Sequence, residues 1–158
     1  MLYEPYAHRG FIDIPRGFSW MWTMESAVEV CATLEDRAGA STLLQLMSPC
    51  ADRWISMGPM AICNGKVSRL LAMLETVLGR YDDAEAHYRD AIEAHAVIGA
   101  HLLVARTQLP YARMLSARAE PGDRANAAAL LESAAKAAAE LGLKRIASDA
   151  DSLRQDLP

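Results

Sequence analysis

Apolar side chains recur along this chain at offsets of three and four residues, the spacing that returns to one face of an α-helix. That spacing predicts a helix over about 19–36, opened by Ser19 as N-cap, with Trp20, Met24, Ala27, Cys31 and Leu34 as its buried stripe. A second helix is predicted over 40–47, ending near Pro49. A third, over 65–78, takes Asn64 as cap, turns Val67, Leu70, Leu71, Leu74 and Leu78 inward, and stops at Gly79. Asp82 and Asp83 favour the start of a fourth against the helix dipole, and it runs to Ile98 before Gly99. A fifth spans 100–118 with a kink or displaced first turn at Pro110, because proline inside a helix costs on the order of 3 kcal/mol and removes a hydrogen bond. After the turn Glu120-Pro121-Gly122-Asp123, an alanine-rich helix reaches Leu141-Gly142, and a last one covers about 144–157. Two stretches lack the helical period. Residues 1–18, broken by Pro5, Gly10, Pro15 and Gly17, read as an extended arm, and residues 50–64, with Gly58 and Pro59, read as a loop.

One spacing occurs three times: Ala40, Leu44, Met47; Ala84, Tyr88, Ala91; and Ala127, Leu131, Ala134. The offsets are +4 and +7, so each triplet is a stripe with a small residue where a neighbouring helix comes close and a larger one filling the gap beside it. The triplets follow one another at 44 and then 43 residues, the period of a stacked array of helical hairpins. The fold class read from this is all-α, with about three hairpin repeats in a single domain over 19–158 and a C-terminal capping helix.

Composition narrows the class further. With 52% hydrophobic and 23% charged residues the chain has the material for a packed core, and with only 6% aromatic that core is built from Ala, Leu and Met. A net charge of −4 with scattered Lys and Arg argues against direct nucleic-acid binding, which needs clustered cations to displace counterions. Cys31, Cys50 and Cys63 form no Cys-x-x-Cys pair, and their odd number suits buried, reduced thiols in a cytoplasmic protein. The N-terminus mixes charges among its apolar residues, giving no signal-like run, and no uninterrupted apolar stretch approaches the roughly 18–20 residues that span a bilayer.

The segment from Leu78 to Ile92 resembles the turn and second helix of a tetratricopeptide repeat, with Gly79, Tyr81, Ala84, Tyr88 and Ala91 at that motif's Gly, aromatic, Ala, aromatic and Ala positions, and Leu71 and Ala72 matching its first helix. Ala96 replaces the closing Pro and the period is longer, as in the lengthened repeats of large bacterial signalling regulators. The wider text (Ile14-Pro15-Arg16, Leu34-Glu35-Asp36, Pro49 to Arg53, Gly65-Lys66-Val67, Gly99-Ala100, Pro121 to Arg124) is similar to the C-terminal helical region of such ATPases, fused to a LuxR-type DNA-binding domain or a nucleotide cyclase. The resemblance implies a tetratricopeptide-like right-handed superhelix and a non-catalytic protein-interaction module in signal transduction or transcription regulation. The alternative is a small-molecule-sensing fragment of a split or truncated regulator. No ATPase, cyclase or DNA-binding segment is carried over.

Candidate chemistry is sparse. His87 and His95 lie about 80° apart on their helix, so they share no metal-binding face, and both read as solvated surface. Gly65-Lys66 is no phosphate loop, since Met60 and Val67 stand where Gly and Ser or Thr are needed. No nucleophile–base–acid set appears, so no catalytic residue, cofactor or metal is expected. The sharper expectation is a groove along the first helices of the hairpins. By register from Ala84 it takes Lys66, Arg69 and Met73, flanked by Trp22, Glu25 and Glu29, and continues with Arg106 and Arg113. Its three arginines would hold an acidic peptide or a carboxylate, against the plainer reading of an internally paired face. A second expectation is an apolar contact patch of Phe11, Phe18 and Trp22, either covered by a folded-back arm or open to self-association.

Overall fold

A computed structural model describes residues 3–57 and 62–157. Its helices are α1 (Tyr3–His8), α2 (Trp20–Leu34), α3 (Arg37–Met47), α4 (Val67–Leu78), α5 (Tyr81–Val97), α6 (His101–Arg118), α7 (Asp123–Leu141) and α8 (Lys144–Gln155). A 3-10 turn (Ser48–Cys50) and two antiparallel strands, β1 (Trp54–Met57) and β2 (Ile62–Lys66), separate α3 from α4. The chain forms two compact units, Met1–His87 and Tyr88–Pro158, whose boundary falls within α5.

All nine positions of the repeated stripe are buried, Ala40, Met47, Ala84, Ala91, Ala127, Leu131 and Ala134 completely so. In the first unit α2, α3 and α4 pack on one another around Met24, Val28, Leu43, Met47, Leu70 and Leu74. Asp36 sets the α2–α3 turn. Its carboxylate caps α3 by accepting from Gly39 N–H at 3.0 Å, and also accepts from the Tyr3 hydroxyl at 2.8 Å. A Cβ on Gly39 would collide with both the Asp36 carboxylate and the Tyr3 hydroxyl, so glycine is required there for space rather than for conformation. At the far end of the pair, Arg37 donates to the carbonyls of Val77 and Leu78 at 2.7 and 2.8 Å, a cation on the open C-terminus of α4.

The structure departs from three expectations. Residues 3–8 are helical rather than extended; Pro5 lies in the first turn of α1, where its missing N–H breaks no hydrogen bond. Tyr3, Phe11 and Ile14 are core residues, so this segment folds onto the unit. The stretch read as a loop contains the hairpin, with Ile55 buried beneath it; residues 58–61 of that reading, like residues 1–2 of the arm, lie outside the described residues. Asn64 is not a helix cap. It is the extra residue of a β-bulge, next to Gly65 at φ 112, where the register shifts between Ile55 and Ser56. The bulge turns its side chain to donate to Glu25 Oε2 at 2.9 Å.

Glu25 is the reason the α2 stripe departs from its expected register. The buried positions are Met24, Glu25, Val28 and Cys31, while Leu34 is exposed. Glu25 Oε1 accepts from Arg69 Nη2 at 2.7 Å, and both side chains are at most 4% exposed. Glu29 adds a longer contact to the same nitrogen at 3.5 Å.

In the second unit α6 is buried nearly all round, by Leu103, Ala105, Leu109, Ala112, Met114 and Leu115 among others, and continues through Pro110 without a break. Helices α7 and α8 pack on it; α7 presents Ala127, Leu131, Ala134 and Ala138, and α8 only Ala150. Tyr88 stacks on Tyr111 with centroids 5.2 Å apart. The α6–α7 turn is fastened by Arg118, which donates from Nε and Nη2 to both oxygens of buried Asp123 at 2.9 and 2.8 Å, while Glu120 N–H reaches the same carboxylate at 2.9 Å.

Removing one partner of the buried pair leaves an uncompensated charge, so Arg69→Met should lower unfolding free energy by about 3–5 kcal/mol in urea titrations, with most of the loss recovered in Glu25→Leu/Arg69→Met. Hydrogen bonds hold two carboxyls below the ordinary aspartate range: Asp36 through Gly39 N–H and the Tyr3 hydroxyl, Asp123 through Arg118 and Glu120 N–H. A lowered folded value means the stabilisation is present above the unfolded value near 4 and is lost as pH falls through the folded one. Melting temperature should therefore drop as pH falls below about 4, and drop less steeply in Asp36→Asn/Asp123→Asn.

Candidate binding cleft

The second unit carries an open cleft of about 310 Å³, lined by Arg89 of α5, Gln108 and Tyr111 of α6, and Asn126, Ala129, Leu130 and Ser133 of α7. Its α7 wall follows from the repeat itself. Asn126, Leu130 and Ser133 keep the +4, +7 spacing one residue behind Ala127, Leu131 and Ala134, so burying the alanine stripe against α6 leaves the preceding stripe along the edge. On α6, Gln108 and Tyr111 are three apart and more than nine-tenths buried. Arg89 Nε donates to the Tyr111 hydroxyl at 3.4 Å, and Tyr111 stacks on Tyr88, which fixes the ring as part of the floor.

Gln108 is the unusual member. Its Nε2 donates to Ser133 Oγ at 3.0 Å, but its Oε1 is buried with no hydrogen-bond partner among the described residues. A buried amide oxygen without a donor costs about 1–3 kcal/mol, so a leucine or methionine would serve the core better.

The groove expected from the sequence is not assembled as expected. Arg69 is 2% exposed and held by Glu25, with Nη1 directed at Met73 Sδ at 3.6 Å, so it is an internal ion-pair partner and not a contact for a ligand. Lys66, at the N-cap position of α4, and Met73 are half-buried in the same unit. Arg106 and Arg113 belong to the second unit, half-buried and exposed respectively. At about 100° per residue, the mean direction of Gln108 and Tyr111 lies about 180° from that of Arg106 and Arg113, so the cleft uses the opposite face of α6. Arg113 instead borders a smaller cleft of about 110 Å³ with Ala112, Ser116, Leu131, Leu153, Asp156 and Leu157. Of the apolar patch, Phe11 is buried against Tyr3 with centroids 5.6 Å apart, Trp22 is half-buried against the same core, and Phe18 is 72% exposed.

The titratable side chains differ from their expected places too. His87 is half-buried, with Nδ1 2.7 Å from Glu75 Oε2, and this pair lines neither cleft. His95 is fully buried, Nδ1 3.3 Å from Thr107 Oγ1; the Thr107 hydroxyl spends its proton on Leu103 O at 2.7 Å, so the imidazole supplies the N–H between them. Cys31 is buried, with burial pushing its thiol above the ordinary range, whereas Cys50 is half-buried and Cys63 exposed. Among the described residues no group of three or more His, Cys, Asp and Glu side chains is placed to hold a metal ion, and no helix is long and apolar enough to cross a membrane.

Known proteins add no constraint: no protein-family model, no curated protein and no solved structure matches the chain.

Because the Gln108 carboxamide costs the core more than an apolar side chain would, Gln108→Met should leave stability unchanged or raise it by about 0.5–1 kcal/mol in urea unfolding, with the exposed Ser133 hydroxyl turning to water.

Proposed function

We propose that this chain is a non-catalytic helical-repeat module that holds a protein or peptide segment, in the signalling or transcription-control setting of the bacterial regulators its repeats resemble. The carrying observation is the open cleft of the second unit, where side chains from α5, α6 and α7 converge and the Gln108 carboxamide is held to Ser133. A helical wall that sets the polar side chains of Arg89, Asn126 and Ser133 among apolar ones is a surface on which a polypeptide segment can lie. The repeated buried stripes supply the rigidity. The exposed thiol of Cys63 suits a reducing compartment, and we place the protein in the cytoplasm. A small-molecule-sensing role is the second reading, favoured by the cleft's volume, which lies at the lower end of the range for small ligands.

Photo-crosslinking separates the two. With p-benzoyl-phenylalanine at the exposed Ala129 and irradiation in native lysate, a peptide-binding module gives polypeptide adducts that disappear when Gln108→Met and Asn126→Ala are added. Adducts below about 1 kDa, the scale of a small-ligand site, support sensing instead. Polypeptide adducts indifferent to both substitutions would sink the cleft as the binding surface.

A further inference from the structure

From the donors that converge over α6 we infer that the cleft takes a carboxylate, bound between the Arg89 guanidinium and the Ser133 hydroxyl, with the carbon chain behind it lying against Ala129 and Leu130. This rests on the reading of the cleft as the binding surface, which both roles above share, and names the chemistry of what it binds.

Charge sets the ligand class. Among the described residues that line the cleft, Arg89 is the one cation and no side chain is acidic. Glu85 and Glu93, one turn either side of Arg89 on α5, lie outside that lining. Arg89, Asn126 and Ser133 are all exposed, so a molecule in the cleft reaches each of them. A single guanidinium matches a single negative charge, and its planar fork fits a carboxylate. A phosphate dianion would keep half of its charge uncompensated.

The two donors are stationed by the floor. Gln108 holds Ser133, through Nε2 to Oγ at 3.0 Å, and the Tyr111 hydroxyl accepts from Arg89 Nε at 3.4 Å. These two floor residues are three apart on α6, about 4.5 Å along its axis, a step that the two oxygens of one carboxylate bridge when each accepts at roughly 2.7 Å. Ser133 is also unusual for a helical serine. Thr107 and Ser116 of α6 spend their protons on the carbonyls four residues back, at 2.7 and 3.0 Å, but Ser133 makes no such bond among the described residues. With its oxygen accepting from Gln108, its O–H is what it offers to a ligand. Gln108 is thus a positioning residue for that hydroxyl. Beside the donors, Ala129 and Leu130 give an apolar strip for a short carbon chain, and the Asn126 carboxamide stands at its far end.

The test uses the whole chain and pairs of probes that differ only in charge, titrated at constant ionic strength and followed by heteronuclear NMR at the Arg89 Nε–H, the Asn126 side-chain amide and the Leu130 and Ser133 backbone amides. Isocaproate is expected to move these signals and to bind about fivefold more tightly than isocaproamide, the scale of one charge-assisted contact at a site open to water. Arg89→Gln should abolish that preference, and Gln108→Met, which releases the Ser133 hydroxyl, should narrow it. Equal binding of acid and amide to the unmodified protein, no movement of the cleft signals, or displacement of isocaproate by an equal concentration of inorganic phosphate overturns the inference without recourse to any variant. A second pair, N-acetyl-glutamate N-methylamide and its glutamine counterpart, separates the sources of the carboxylate. Preference for the glutamate probe supports an acidic side chain on a bound polypeptide, whereas binding of isocaproate alone supports a free organic acid. If photo-crosslinking gives cleft-dependent polypeptide adducts while acid and amide bind equally, the cleft stands as the binding surface and the carboxylate inference fails.

Discussion

Helices approach one another here because alanine lets them. Ala40, Ala84, Ala91, Ala127 and Ala134 are fully buried, and each sits on a stripe whose neighbour, Leu44, Tyr88 or Leu131, fills the space that a methyl group leaves. Two consequences follow at once. A core with few aromatic residues becomes possible, because close approach substitutes for side-chain bulk in excluding water. The stripe adjacent to each alanine face is also held at a fixed height along the helix edge, which is how α7 presents Asn126, Leu130 and Ser133 to the cleft.

Polar groups in and beside the core divide by whether they are met. Glu25, Arg69 and Asn64 join α2, α4 and the bulge of β2; Arg118 and Asp123 close the α6–α7 turn; Asp36 and Tyr3 bring the N-terminal helix to the start of α3. In each, a carboxylate receives at least two hydrogen bonds, the condition under which burying it is tolerable. Gln108 Oε1 stands apart. Ser68 Oγ and Trp22 Nε1 also have no partner among the described residues, but neither borders the open cleft.

Most of the helical architecture was legible in the chain. Periodicity located α2 through α8, Gly79, Gly99 and Gly142 stop their helices as read, each with a positive φ, and the three alanine stripes face inward. What failed did so for a common reason: the deciding partner lies far along the chain. Glu25 and Arg69, 44 residues apart, count as surface residues in any local pattern, and only their contact makes both core. The groove drawn through Arg69 fails with that assumption. Asn64-Gly65 carries the local signal of a cap or turn, yet the pairing of Gly65 with Ile55 makes it a bulge. Gln108 carries no local signal of the cleft, because one polar residue on a buried helix is ordinary. The only local hint of the cleft was the +4, +7 spacing of Asn126, Leu130 and Ser133 beside the alanine stripe.

The last helix has a different standing from the rest. Ala150 is its one fully buried side chain, while half of the residues of α6, on which it packs, are buried. Releasing α8 therefore forfeits little apolar burial and leaves Met114 and Leu115 in place, so its amides exchange with solvent through a local opening far cheaper than unfolding of the unit. In that opened state the side of Leu131 and Ala112 that borders Leu153 meets water, a transient apolar strip that exists only while the cover is lifted.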